Sequence, residues 1–114
     1  MRSVLIVDDY APFRESARGL LESEGFEVVG EAANGLTALR LARDVHPDVV
    51  LLDVHLPDID GFEVARRLRQ LDPAPEVVLT SSRDDYASLV AGSAARAFVR
   101  KDALSGETLA AVLA

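Results

Sequence analysis

Apolar and polar positions follow two rhythms along this chain. Short apolar-rich runs of strand length, VLIV at 4–7, FEVVGE at 26–31, DVVLLD at 48–53, EVVLTS at 76–81 and ARAFVR at 95–100, are each followed by a segment of helical period. In 11–24, Phe13, Ala17, Leu20 and Leu21 fall on one helical face, Pro12 suits the first turn and Gly25 supplies a stop. In 34–45, Leu36, Leu39 and Ala42 are expected to face inward, with Pro47 ending the helix. A third helix is predicted over 61–71, where Asp60 and Glu63 have the spacing of an N-cap and its partner three residues on. A fourth is predicted over roughly 84–94 and a fifth from about 104. The first, third and fourth runs are apolar without alternation, which marks strands covered on both faces of a parallel sheet. With right-handed crossovers, five strand-helix units make a doubly wound α/β fold in which 1–114 is one domain.

Composition narrows the picture. A chain of 114 residues, 49% hydrophobic and 27% charged, suits one domain with its own core. The absence of cysteine excludes disulfides and thiolate metal sites. An apolar run of only four residues precedes Asp8, too short for a signal peptide or membrane span, so the expected setting is the cytoplasm, with no membrane partner. A net charge of −7 argues against direct nucleic-acid binding, which draws on clustered Lys and Arg. Of the 12 basic residues all but one are Arg, and the exception is Lys101.

The candidate chemistry lies at strand ends. Doubly wound sheets bind ligands beyond the carboxyl ends of their strands, where strand order reverses. Asp8 and Asp9 follow the first strand, Asp53 closes the third, Thr80 and Ser81 close the fourth and Lys101 follows the fifth. If the first and third strands are neighbours, three carboxylates converge, and like charges so close disfavour joint ionisation. Lys101 offsets one charge and leaves two, which one divalent cation balances. Oxygen ligands without His or Cys side chains suit Mg²⁺.

VLIVDD, then VVLLDVHLPDIDG with Asp53, Pro57 and Gly61, then VVLTSS, then FVRKD, resemble in order and spacing the receiver domain of bacterial two-component response regulators. The resemblance covers essentially the whole chain and implies a flavodoxin-like (βα)5 fold with strand order 2-1-3-4-5. It implies that Asp53 is a phosphoryl acceptor, that Asp8 and Asp9 bind Mg²⁺ together with Asp53 and the backbone carbonyl of His55, and that Lys101 contacts the phosphoryl group. Both Thr80 and Ser81 are candidates for the switch hydroxyl; a count of 28 residues from Asp53 favours Ser81, the shorter distance to Lys101 favours Thr80, and Ser81 is preferred. Phe98, three before the lysine, matches the aromatic whose rotamer reports phosphorylation. Implied partners are a histidine kinase or phosphotransfer domain, and a second copy through the surface of the fourth helix, fifth strand and fifth helix. Departures from the pattern are Asp102 after the lysine, Ala97 before the aromatic, and a segment between the fourth and fifth strands about one residue short.

Blander readings were weighed against these. Asp8-Asp9 alone reads as a solvated loop start, and it is the coincidence with Asp53 and Lys101 that outweighs this. His46 reads as a solvated loop residue, the His55 imidazole as pointing to solvent, and Arg66, Arg67 and Arg69 as the outer face of a helix. Two rival functions are a Mg²⁺-dependent aspartyl-phosphate hydrolase of the haloacid-dehalogenase type and a flavodoxin-like binding module without phosphotransfer. The first wants Asp-x-Asp after its first strand, whereas Asp53 is followed two on by His55; the second lacks a phosphate loop after the first strand. The cognate kinase, the output and whether the natural polypeptide continues past Ala114 stay open.

Overall fold

Parallel pairing carries the architecture. The computed structural model describes residues 2–82, 90 and 92–114. Its elements are β1 (Ser3–Val7), α1 (Ala11–Ser23), β2 (Glu27–Ala32), α2 (Gly35–Val45), β3 (Val49–Asp53), α3 (Gly61–Leu68), β4 (Glu76–Ser81), β5 (Ala97–Arg100), a 3₁₀ turn at Lys101–Ala103 and α4 (Gly106–Leu113). The five strands form one sheet in the order β2-β1-β3-β4-β5, every pair parallel, as the resemblance implies.

Strand alternation sorts the core into two layers. Leu5, Val7, Val50, Leu52, Val77 and Leu79 face α2 and α3. Val4, Ile6, Val49, Leu51, Val78 and Val99 face Ala17 and Leu21 of α1 and Leu109 and Leu113 of α4. The sheet is therefore covered on both sides, which is why its inner strands are apolar between their first residues and their carboxyl ends.

Several expectations shift. The helix expected over 84–94 falls mostly outside the described residues. The last helix starts at Gly106 rather than near 104, because Lys101–Ala103 form a 3₁₀ turn and Ser105 then caps the helix. Ser105 Oγ accepts from the Thr108 amide at 3.0 Å, while Thr108 Oγ1 accepts from the Ser105 amide at 2.8 Å. The third helix stops at Leu68, and the chain turns through Arg69–Leu71. Leu36, expected inward, is 57% exposed: the buried face of α2 is Gly35, Ala38, Leu39 and Ala42, and Leu36 lies roughly 200° round the helix from Ala38. Leu20 is likewise at the rim, while Ala17 and Leu21 are buried. Among the described residues no helix is long and apolar enough to cross a membrane.

The loop from β3 to α3 is pinned at both ends. Gly61 N donates to the Val54 carbonyl at 2.8 Å, and a Cβ at Gly61 would strike the Asp53 carbonyl and stand 2.8 Å from Val54 Cα. The Asp58 carboxylate accepts from the Gly35 and Leu36 amides at 2.8 and 2.9 Å, satisfying two orphan donors at the start of α2, where the Asn34 side chain accepts a third from Thr37. These bonds hold the Asp58 carboxyl below its ordinary range despite the opposing effect of burial. Gly35 lies against Ile59, so a side chain there would collide with the same loop.

Candidate functional site

Two strand ends bring the acids together. Asp8 continues the β1 row of Val4 and Ile6, and Asp53 continues the β3 row of Val49 and Leu51, so both point to the face packed by α1 and α4. One carboxylate oxygen each from Asp8, Asp9 and Asp53 lies within 4.8 Å of the others. Asp8 is fully buried, Asp53 is 5% exposed, and Asp9 opens to solvent.

Lys101 reaches into this cluster from the end of β5. Its Nζ donates to Asp53 Oδ2 at 3.3 Å and stands 2.6 Å from Asp8 Oδ2. The second contact is the shorter, an ion pair between the ammonium and the fully buried Asp8 carboxylate. Asp8 Oδ1 accepts from the Tyr10 amide at 2.9 Å, and Asp53 Oδ1 accepts from the His55 amide at 3.2 Å. Burial, and after it the charge of Asp8, raises the Asp53 pKa against the opposing pull of Lys101 and the His55 amide. For Lys101 burial acts downward, yet the contacts with Asp8 and Asp53 overcome it and the pKa is raised. One ammonium leaves these carboxylates under-compensated.

The donor set fits a hard divalent cation. It offers carboxylate oxygens only, from the buried Asp8 and Asp53 and the more open Asp9. His55 stands two residues after Asp53 in the pinned loop and is exposed, as expected of its imidazole. His46 is exposed as well, and ends α2 with a positive φ of 46°. Arg66 and Arg67 pair with Glu63 on the outer face of α3. Asp60 does cap that helix, accepting from the Glu63 amide at 2.9 Å, while the Glu63 side chain turns to the arginines instead of back to the cap. Those two arginines hold the Glu63 carboxyl at a pKa of about 2.

The two candidate hydroxyls part company. Thr80 pairs with Asp53 across β3 and β4 and continues the row of Val78, on the acids' side of the sheet. It is 1% exposed, and its Oγ1 has no hydrogen-bond partner among the described residues. Ser81, 2% exposed, continues the row of Val77 and Leu79, the side on which Phe98 packs as a partly buried ring. Leu79 is the register partner of Phe98, so Ser81 and Phe98 share one face.

Sequence reasoning missed Arg14. It donates through Nη1 to the Asp8 carbonyl at 2.6 Å and through Nε to Glu31 at 3.2 Å, while Arg18 pairs with the same glutamate at 2.7 Å. The signal was Arg14 and Arg18 at i and i+4 on the edge of α1 that faces β2.

The family model of the response regulator receiver domain matches residues 4–113. The chain belongs to that family. Among its relatives, the transcription regulator BvgA of Bordetella pertussis is 43% identical over 100 residues, which cover 86% of this chain and 48% of BvgA. The signal receiver domain of NarL from Mycobacterium tuberculosis superposes with a TM-score of 0.85 at 37% identity, covering 98% of this chain and 93% of that one. The response regulator TrrA from Thermotoga maritima, solved in complex with Mg²⁺ and beryllofluoride, superposes with a TM-score of 0.79 at 33% identity, covering 88% and 86%. This receiver thus spans about half the length of BvgA, and a similar share of several other curated relatives.

Proposed function

We propose that this receiver accepts a phosphoryl group on Asp53, from the phosphohistidine of a histidine kinase or phosphotransfer domain or from a small phosphodonor, and that the modification controls a partner or output domain. The observation that carries the reading is the convergence on Asp53: a buried carboxylate with an ammonium 3.3 Å away and two further acids around it. In the transfer, an Asp53 carboxylate oxygen forms a bond to phosphorus as the donor's P–N or P–O bond breaks and the leaving group keeps the electron pair. The loose transition state asks for positioning and for positive charge on the phosphoryl oxygens. Lys101 supplies one such charge as a compact ammonium able to move from carboxylate to phosphoryl oxygen. Asp8, Asp9, Asp53 and the His55 backbone carbonyl would hold Mg²⁺, which supplies the rest of that charge; the Mg²⁺ and beryllofluoride in TrrA support this choice of ion. The His55 amide orients the Asp53 carboxylate from below.

The proposed switch lies at the end of β4. Ser81, or Thr80 in its place, would donate its hydroxyl to the phosphoryl group, and the space it vacates would admit the ring of Phe98, altering the surface that β5 shares with the last helix. That surface would then bind a partner or a second copy. One charge-assisted hydrogen bond of about 1.5–3 kcal/mol changes a ratio of states roughly tenfold to a hundredfold. The chain acts as an acceptor rather than a turnover enzyme and works in the cytoplasm, residues 1–114 forming one receiver domain, and it binds no nucleic acid itself, in keeping with its charge of −7.

Incubation with acetyl phosphate and Mg²⁺ tests this against a hydrolase. The expected result is uptake of a single equivalent of phosphoryl group with slow loss, and no release of phosphate from unrelated esters. Sustained hydrolysis of many esters would overturn the reading.

A further inference from the structure

Among the described residues, Lys101 has one partner that is not an acid. Its Nζ lies 4.7 Å from the centroid of the Phe13 ring, and Phe13 packs against the apolar cluster that includes Val4, Ile6, Leu21 and Val99. We propose that Phe13 is a positioning residue for Lys101: the face of its ring holds the ammonium over the pocket while a cation engages the carboxylates. This rests on the reading of Asp53 as phosphoryl acceptor.

The contacts of Nζ divide into two kinds. Asp8 Oδ2 and Asp53 Oδ2 are carboxylate oxygens, the donors a hard cation takes. A ring face attracts an ammonium within about 6 Å through its quadrupole, and offers nothing comparable to an ion that prefers oxygen. So when a divalent cation draws on the carboxylates and repels the ammonium, the contact with Phe13 is the one it does not compete for. Without such a contact a flexible four-carbon stem would carry Nζ out to water.

The ring is also held in place. Phe13 sits in the first turn of α1, and the next residue, Arg14, bonds the Asp8 carbonyl at 2.6 Å and Glu31 at 3.2 Å. The turn that carries the ring is therefore fastened to the strand end that carries the acid. The ring packs against the apolar cluster of strand and helix side chains, so it meets Nζ without a further loss of freedom.

Fluorinated phenylalanines at position 13 test the proposal, since they keep the shape of the ring and drain charge from its face. Phe13→Leu removes the face and Phe13→Tyr restores it. In the metal-free protein the Lys101 ε-methylene protons should show an upfield ring-current shift in NMR spectra, lost in Phe13→Leu and kept in Phe13→Tyr. The rate of phosphorylation by acetyl phosphate at saturating Mg²⁺ should fall stepwise with fluorination, and about threefold to thirtyfold in Phe13→Leu. Tyrosine should keep the wild-type rate, and the melting temperature of the fluorinated forms should stay near wild type. A rate indifferent to fluorination, or Lys101 protons without a ring-current shift, would overturn the proposal. If the wild type takes up no phosphoryl group at all, the acceptor reading fails instead, and the ring-current shift still decides whether Phe13 holds Lys101.

Discussion

Burial sets the behaviour of single side chains in the pocket, and it acts against both the hydroxyl of Thr80 and the ionised carboxyl of Asp53. A buried hydroxyl without a partner costs about 1–3 kcal/mol, whereas an apolar group of the same shape removes that penalty. Thr80→Val should therefore raise the urea midpoint of the metal-free protein, with a gain of up to about 1–3 kcal/mol; a lowered midpoint would show that Oγ1 is satisfied in solution. For Asp53 the folded pKa is raised, first by burial and then by Asp8. Its contribution to stability is fully present below the unfolded carboxyl pKa and is lost as pH rises through the folded value. In chelator, Asp53→Asn should consequently melt higher than wild type at neutral pH, and the difference should shrink as pH falls through the acid range. Asp53 and Lys101 were legible at this scale because a lone lysine among arginines and an acid ending an apolar strand are visible in a string of letters. The empty hydrogen-bonding capacity of Thr80 and the grip of Arg14 on the Asp8 carbonyl were not, since both depend on distances across separate elements.

At the scale of elements, the loop from β3 to α3 explains why the segment after Asp53 has the residues it has. Gly61 must lack a side chain because the Asp53 and Val54 backbone occupies the space a Cβ needs. Gly61→Ala should cost about 1–3 kcal/mol, as overpacking does, and should slow phosphorylation because the displaced backbone carries the acceptor; an unchanged melting temperature and rate would show that the loop yields freely. Asp58 belongs to this loop too, yet its amide partners are on α2. Helix periodicity predicted α1, α2 and the Asp60 cap of α3, but it placed Leu36 inward and carried the third helix to 71. It missed because, apart from Leu39, the buried stripe of α2 is made of Gly35 and small alanines, which carry little hydrophobic signal, and because the end of α3 is decided by turns that pattern does not encode. The start of the last helix was misplaced for a related reason, the 3₁₀ turn that lets Lys101 reach back over the sheet.

For the whole molecule, strand order does the assembling. β1 and β3 are neighbours at the centre of the sheet, so Asp8 and Asp53 meet; β5 at the edge sends Lys101 across β4 to reach them. Continuous apolar runs made the parallel sheet legible, and the order 2-1-3-4-5 came from the resemblance rather than from the runs themselves. Which of Thr80 and Ser81 relays the signal was not legible, because their difference is one of sheet face, and a one-residue step moves a side chain from one layer to the other. The pocket, by contrast, needs only that the ends of β1 and β3 be adjacent and that Lys101 reach them from β5, and a doubly wound sheet of this order sets the first. The central claim is that Asp53 is where the phosphoryl group goes. Treating wild type and Asp53→Asn with acetyl phosphate and Mg²⁺, and locating the adduct by mass spectrometry of peptides, tests it most directly. Wild type should carry one phosphoryl group on the peptide containing Asp53, and folded Asp53→Asn none; a phosphoryl group of equal occupancy on folded Asp53→Asn would contradict the claim.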